Sequence, residues 1–276
     1  MKSQTIRKNN PVLCGVIGNP IEHSFSPDIH RTFAQQQSIE LEYNKHLLET
    51  SSLNSFIDQF FYSGGTGLNV TLPFKQQVIE SVDCLSEAAA RCRSVNTLLT
   101  TENGQVYGDT TDGAGLLLDL NRLGFQFKNK NVLVIGAGGA SISVIDSLLM
   151  NNTKITLHNR TSTRIDNVIE QFSPIGKITP FNPSNDTLFD GVICATSQFN
   201  QELVDPIVSF LRKDSFIYDL NYSQRSKKNL AYFSARGFNN SSDGYGMLLG
   251  QAAKSFELWH GVLPDIFPLL SQSKSS

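Results

Sequence analysis

The tetrapeptide Val132-Leu133-Val134-Ile135, closed by Gly136-Ala137-Gly138-Gly139-Ala140-Ser141, narrows the fold more than any other stretch of this chain. Four consecutive branched aliphatic residues read as a strand buried on both faces, as in parallel sheets. The glycines behind it allow a tight turn and a close backbone approach, and a helical pattern runs on to about Met150. A second apolar strand follows at 155–157, completing one βαβ unit. Further strand candidates lie at 191–195 and 215–220, with helices between them. The spacing predicts a Rossmann-like dinucleotide-binding domain over 125–244, with a polar-flanked connector at 125–131 as its entry.

In that setting Gly136, Ala137, Gly138, Gly139 and Ala140 form a loop whose backbone can approach a pyrophosphate at a helix N-terminus. Ser141 stands where a third glycine would be, and a bare structural turn is the alternative reading. The end of the second strand selects the cofactor. An NAD site would offer Asp or Glu there to the ribose 2′-hydroxyl. This chain offers His158-Asn159-Arg160-Thr161, with Arg164 one helical turn on. Two guanidinium groups and a hydroxyl suit a 2′-phosphate, so NADP(H) is the expected cofactor. The competing reading is a solvated helix start, where cations are unfavourable unless an anion is bound.

The front half, 1–124, has a different character. Residues 12–17 read as a first strand ending at Gly18-Asn19-Pro20. Ser26 is placed as an N-cap with Pro27 at the first helical position. A second strand (41–48), a short amphipathic helix (52–61) and a helix at 86–93 follow. A hairpin then turns at Asn103-Gly104 between strands at 95–101 and 105–108. Its centre is Asn69-Val70-Thr71-Leu72-Pro73-Phe74-Lys75: strand 67–70, then a helix expected from Pro73 to Ser81. Lys75 therefore sits where a strand gives way to a helix, the usual place for ligands in open α/β sheets. A lysine in a closed site can exchange protons, although an isolated lysine is more often simply solvated. Ser24 and Ser26 flank Phe25, so both hydroxyls can face one small carboxylate; for Ser26 that role coexists with capping. Asp112, in Thr-Asp-Gly before a helix, reads either as a cap or as a carboxylate that pairs with Lys75 and tunes its pKa. His23 is read as structural. A strong helix at 245–259 opens a third segment, 245–276, expected to pack back on the first domain.

Composition excludes several classes. Net charge is −2, and no basic run exceeds the pair Lys227-Lys228, so nucleic-acid binding has no electrostatic footprint. No apolar run approaches a membrane span, and 12–17 is too short and too soon broken for a signal peptide. Cys14, Cys84, Cys92 and Cys194 are scattered without metal-ligand spacing. They read as buried thiols of a reducing, cytoplasmic setting, with no metal site. Hydrophobic residues at 39 % and charged residues at 17 % are those of an ordinary globular protein with a sizeable core. The serine-rich tail from Ser271 is expected to fray.

Taken together the motifs resemble shikimate dehydrogenase along almost the whole chain. The matching segments are Gly18-Asn19-Pro20-Ile21, His23-Ser24-Phe25-Ser26-Pro27, Asn69 to Lys75, Val95-Asn96-Thr97-Leu98 and Thr111-Asp112-Gly113. Gly136 to Ala140, Asn159-Arg160-Thr161 and Gly250-Gln251-Ala252-Ala253 follow in the family's order. The resemblance implies reversible NADPH-dependent reduction of 3-dehydroshikimate to shikimate, in aromatic amino-acid (chorismate) biosynthesis. Lys75 would be the acid/base and Asp112 its partner. Ser24 and Ser26, with Tyr222, would hold the substrate carboxylate. Thr71, Asn96, Asp112 and Gln251 would meet the ring hydroxyls. Glu87, Leu220 and Gly244 would line the nicotinamide region beside the glycine loop and the 159–164 segment. It also implies a monomer or homodimer.

Three departures bear on the nicotinamide pocket: Thr110 before Thr-Asp-Gly, Cys194 before Ala-Thr-Ser, and no proline after Tyr222. The alternatives are a quinate or quinate/shikimate dehydrogenase, the more distant methylenetetrahydrofolate dehydrogenase, and a non-catalytic NADP-binding sensor. An intact Lys75 and Asp112 argue against the sensor.

Overall fold

The computed structural model describes residues 11–273. In chain order its main elements begin with β1 (Val12–Gly18), α1 (Ser26–Gln36), β2 (Leu41–Leu47), α2 (Leu53–Tyr62) and β3 (Gly67–Val70). Then come β4 (Cys84–Leu85), α3 (Glu87–Cys92), β5 (Thr97–Thr100), β6 (Val106–Asp109) and α4 (Asp112–Arg122). The second half runs β7 (Asn131–Ile135), α5 (Gly139–Met150), β8 (Lys154–His158), α6 (Ser162–Phe172), β9 (Ile178–Pro180) and β10 (Phe189–Cys194). It continues α7 (Gln201–Val204), β11 (Leu211–Asp219), α8 (Gln224–Ser234), β12 (Ser241–Asp243), α9 (Tyr245–His260) and α10 (Phe267–Ser273). Two compact units result. One comprises Met1–Ala89, Arg93–Asp109 and Ala252–Ser276; the other comprises Ala90–Cys92 and Thr110–Gln251. Helix α4 thus groups with the second unit, which starts ahead of Gly124, and the end of the chain groups with the first.

The second unit carries a six-stranded, all-parallel sheet in the order β12-β11-β10-β7-β8-β9. Numbered within the unit this is 6-5-4-1-2-3, the order of doubly wound dinucleotide folds, with its switch point between β7 and β10. Val132, Leu133, Val134 and Ile135 are buried on both faces, as their unbroken apolar run requires. One face packs Val144, Ile145 and Leu148 of α5; the other packs Val204, Ile207 and Phe233.

The first unit holds a mixed sheet, β2-β1-β3-β5-β6-β4. Strands β2, β1 and β3 run parallel, while β5 runs antiparallel to both of its neighbours, β3 and β6. Its turn closes where Asn103-Gly104 was expected, with the Gly104 N–H donating to the Thr101 carbonyl. Leu68, Val70, Phe74 and Val78 form the buried centre with Leu53 and Ile57 of α2.

Three local expectations are corrected. The chain after Pro73 is not an α-helix: a turn over 72–76 leads into a 3-10 helix, Gln77–Ser81. The Lys75 carbonyl accepts the Val95 N–H at 2.8 Å, while the Ile79 N–H turns to the Gln76 carbonyl three places back at 3.3 Å, so the segment closes as a 3-10 helix. Ser26 is the first residue of α1 rather than its cap; Phe25 occupies the cap position and no side chain caps the helix. Cys84 is half-buried, whereas the other three cysteines are buried as expected, and all four are free thiols. The last helix runs to Ser273, and the rest of the serine-rich tail, 274–276, lies outside the described residues.

Candidate functional site

In the first unit the parallel pairing of β1 with β3 brings two loops together. The Thr71 N–H donates to the Ile17 carbonyl at 3.0 Å, and the Asn19 N–H to the Leu72 carbonyl at 3.0 Å. The segment leading to Ser24 and Ser26 is thereby anchored beside Thr71, four residues ahead of the half-buried Lys75. The Ser24 hydroxyl lies 3.2 Å from that of Ser26, which is buried. His23, read as structural, is exposed.

Behind these serines runs a buried polar network. Tyr43, fully buried, donates its phenol O–H to Asn69 Oδ1 at 2.7 Å. Burial pushes the phenol well above its usual range, and the neighbouring Ser26 hydroxyl counters this. Asn69 Nδ2 donates to the Asn96 carbonyl at 3.2 Å and to Ser255 Oγ at 2.9 Å. Thr97 Oγ1 closes the circuit, donating to Asn96 Oδ1 at 2.9 Å and lying 2.7 Å from Ser255 Oγ. Four buried groups that the sequence did not single out as site residues (Tyr43, Asn69, Thr97 and Ser255) thus hold Asn96 in place. Such a network holds its members in one geometry because each unmet buried polar group would be costly. A polar side chain inside an apolar strand, such as Asn69 within Gly67–Val70, was the signal available for it. Glu87 lies exposed at the start of α3, whose cap is Ser86: its side chain accepts the Ala89 N–H.

In the second unit the carboxyl ends of β7, β10, β11 and β12 converge. Gly136 follows β7 with φ +110°, which only glycine adopts without strain, and a Cβ there would sit 3.0 Å from the Ala195 carbonyl group. Ala137, Gly138, Gly139 and Ala140 then lead into α5, with Gly138 at its cap position. A Cβ on Gly138 or Gly139 would meet nothing within 4 Å, so the first N–H groups of α5 border open space. Ser141, in place of a third glycine, is buried and donates to the Gly138 carbonyl at 2.6 Å. At the end of β8, Asn159 Nδ2 donates to the Thr161 carbonyl at 3.0 Å, and Thr161 occupies the cap position of α6. Arg160 and Arg164 are exposed and form no ion pair among the described residues, leaving both guanidinium groups for an anion at that helix start.

Leu220 and Gly244 are adjacent. A Cβ on Gly244 would lie 2.2 Å from the Leu220 carbonyl oxygen, so the position requires glycine. Tyr222 follows, half-buried, its phenol raised above its usual range by burial and opposed by Arg225. Thr111 Oγ1 donates to the Gln251 carbonyl at 3.0 Å, which joins the buried Asp112, the first residue of α4, to Gln251. Thr110 Oγ1 lies 3.0 Å from Ser143 Oγ on α5. Cys194 is buried at the end of β10, and burial pushes its thiol up to about 12, an inert side chain. Among the described residues no cluster of His, Cys, Asp and Glu could hold a metal, and no helix is long and apolar enough to cross a membrane.

Comparison with known families matches three models in this order. Residues 16–98 match the shikimate dehydrogenase substrate binding domain, 119–220 match shikimate / quinate 5-dehydrogenase, and 244–266 match the shikimate 5′-dehydrogenase C-terminal domain. Among solved structures the chain is similar to an Ael1 enzyme from Pseudomonas putida, at 31 % identity and TM-score 0.84, over 95 % of this chain and 97 % of that one. It is similar to the shikimate 5-dehydrogenase of Thermus thermophilus solved with NADP(H) and shikimate, at 28 % identity and TM-score 0.80, covering 92 % and 95 %. It is also similar to the quinate dehydrogenase of Corynebacterium glutamicum solved with NAD, at 25 % identity and TM-score 0.82, covering 97 % and 100 %.

Proposed function

This chain belongs to the shikimate/quinate 5-dehydrogenase family, and we propose that it is the NADP-dependent enzyme that interconverts 3-dehydroshikimate and shikimate. The observation that carries the reading is the pair of Ser24 and Ser26 hydroxyls, 3.2 Å apart, together with the buried polar network that fixes Asn96, hydroxyl and amide groups suited to a small hydroxylated carboxylate. Bound NADPH supplies the hydride that reaches the carbonyl carbon. The open N-terminus of α5 suits its pyrophosphate, and Arg160 and Arg164 with Thr161 suit its 2′-phosphate.

The residues of the chain supply the rest. Ser24, Ser26 and Tyr222 hold the carboxylate, while Thr71, Asn96, Asp112 and Gln251 meet the ring hydroxyls. Glu87, Leu220 and Gly244 line the nicotinamide region. The Lys75 ammonium gives its proton to the oxygen that becomes alkoxide as hydride arrives, and takes it back in the oxidative direction; Asp112 is its partner. The working setting is the cytoplasm, as a monomer or homodimer.

The test is NADP+ reduction, followed by near-ultraviolet absorbance, with shikimate or quinate, on wild type and Lys75→Ala. Turnover of shikimate that falls by about 10²–10⁴ in Lys75→Ala, with NADP+ binding kept, is the expected result. Faster turnover of quinate would reassign the substrate. Turnover of neither acid, with NADP+ still bound, would overturn the enzyme reading and leave an NADP-binding sensor.

A further inference from the structure

Between Leu220 and Tyr222 stands Asn221, and both protons of its side-chain amide are engaged. One amide proton goes to the Asp219 carboxylate at 2.9 Å and the other to the Thr196 carbonyl at 2.7 Å. Its own backbone N–H also reaches Asp219 Oδ1 at 2.9 Å, and its carbonyl accepts the Gly244 N–H at 2.9 Å. Asp219, 1 % exposed at the end of β11, takes a further bond from Asn229 Nδ2 of α8 at 2.9 Å. Burial raises its carboxyl above the usual range, and the bonds from Asn229 and Asn221 oppose that rise. The titratable groups facing it from neighbouring strands are Asp243 of β12 and Cys194 of β10. Leu220 is separately pinned by its N–H to the Cys194 carbonyl at 2.9 Å. Asn221 therefore fixes the exit of the chain toward Tyr222, together with the Ser223 N–H, which donates to Asp243 Oδ2 at 3.4 Å where Ser223 takes φ +59°.

We propose that Asn221, clasped between Asp219 and Thr196, is a positioning residue that sets Tyr222 for the substrate acid. The clasp joins the ends of β10 and β11, and the Gly244 bond adds the start of α9. A four-point anchorage of Asn221 fixes the backbone from which the Tyr222 side chain leaves, and the Tyr245 ring lies edge-on to it with centroids 6.4 Å apart. Lost orientation of a binding group appears in affinity for the acid, whereas the cofactor contacts at Gly136–Ala140 and Arg160 are held by other strands and Leu220 and Gly244 keep their backbone bonds to Cys194 and Asn221. The inference rests on the function proposed above, since it concerns the same acid.

Two variants test it, with shikimate and NADP+ as the probes. Asn221→Leu keeps the side-chain size and removes both donors. The expected result is a KM for shikimate raised about tenfold, with kcat and the Kd for NADP+ changed less than about twofold. Asn221→Asp sets a second carboxylate against Asp219. A proton shared by the two acids restores one donor, so its KM defect is expected to shrink as pH falls, on a profile that wild type lacks. This second readout stands even if Asn221→Leu fails to fold. A shikimate KM within twofold of wild type in Asn221→Leu, or a pH-independent defect in Asn221→Asp, would overturn the proposal. Wild type that turns over no acid would instead sink the functional reading beneath it, so the two failures are distinct.

Discussion

Replacing Tyr43 by Phe removes one oxygen and nothing else, which makes it a clean probe of the network in the first unit. The ring keeps its stacking on His30, with centroids 4.6 Å apart and planes 14° from parallel. What is lost is the 2.7 Å bond to Asn69 Oδ1, for which no other donor is present among the described hydrogen bonds. Asn69 is 5 % exposed, so its carbonyl would be left without water as a substitute. A buried acceptor without a partner costs about 1–3 kcal/mol. Taking about 2 kcal/mol, and about 2–4 °C per kcal/mol for a chain of this size, Tm should fall by about 4–8 °C. The assay is thermal unfolding by circular dichroism, with a double-mutant cycle against Asn69→Leu. In that cycle the two losses should fall short of additivity by about 1 kcal/mol or more, since both remove the same bond. A Tyr43→Phe protein that melts within about 1 °C of wild type, with an additive cycle, would refute the reasoning.

Two further outcomes follow from the geometry. Gly136→Ala forces a side chain into φ +110° and against Ala195, so NADP+ affinity should drop by at least about tenfold in a fluorescence titration while the first unit is unaffected; unchanged affinity would remove Gly136 from the cofactor loop. His30 is fully buried, and burial, with His260 nearby, lowers it from 6.5 to about 3. Its folded pKa lies below its unfolded one, so the neutral imidazole contributes stability that is present above about pH 6.5 and lost as pH falls toward 3, at up to about 1.4 kcal/mol per pH unit. His30→Phe should flatten that part of the acid limb in a Tm-against-pH series, and an identical slope in both proteins would contradict it.

The parts that could be read from the chain were those set by neighbours in sequence. The run Val132–Ile135, the glycines after it and the cationic start of α6 are local patterns, and local sterics and helix electrostatics fix what they become. The serines around Phe25 and the lysine after Pro73 were legible for the same reason. Where a local pattern failed, a distant partner is present: no α-helix follows Pro73, and the Lys75 carbonyl there bonds Val95, twenty residues on.

Tertiary structure decided what no window of sequence contains. Tyr43 and Ser255 look ordinary in the chain, nothing local joins them to Asn69 and Thr97, and the bonds joining Asn69 and Thr97 to Ser255 span 186 and 158 residues. They become one network only because β2, β1, β3 and β5 lie side by side and α9 returns a serine to them. Asn221 likewise reads as a polar residue in a loop until β10 and β11 end beside it. Pattern and propensity are properties of a segment and survive in the sequence. A buried hydrogen bond is a property of two segments, and which two meet is settled by the packing of the whole sheet.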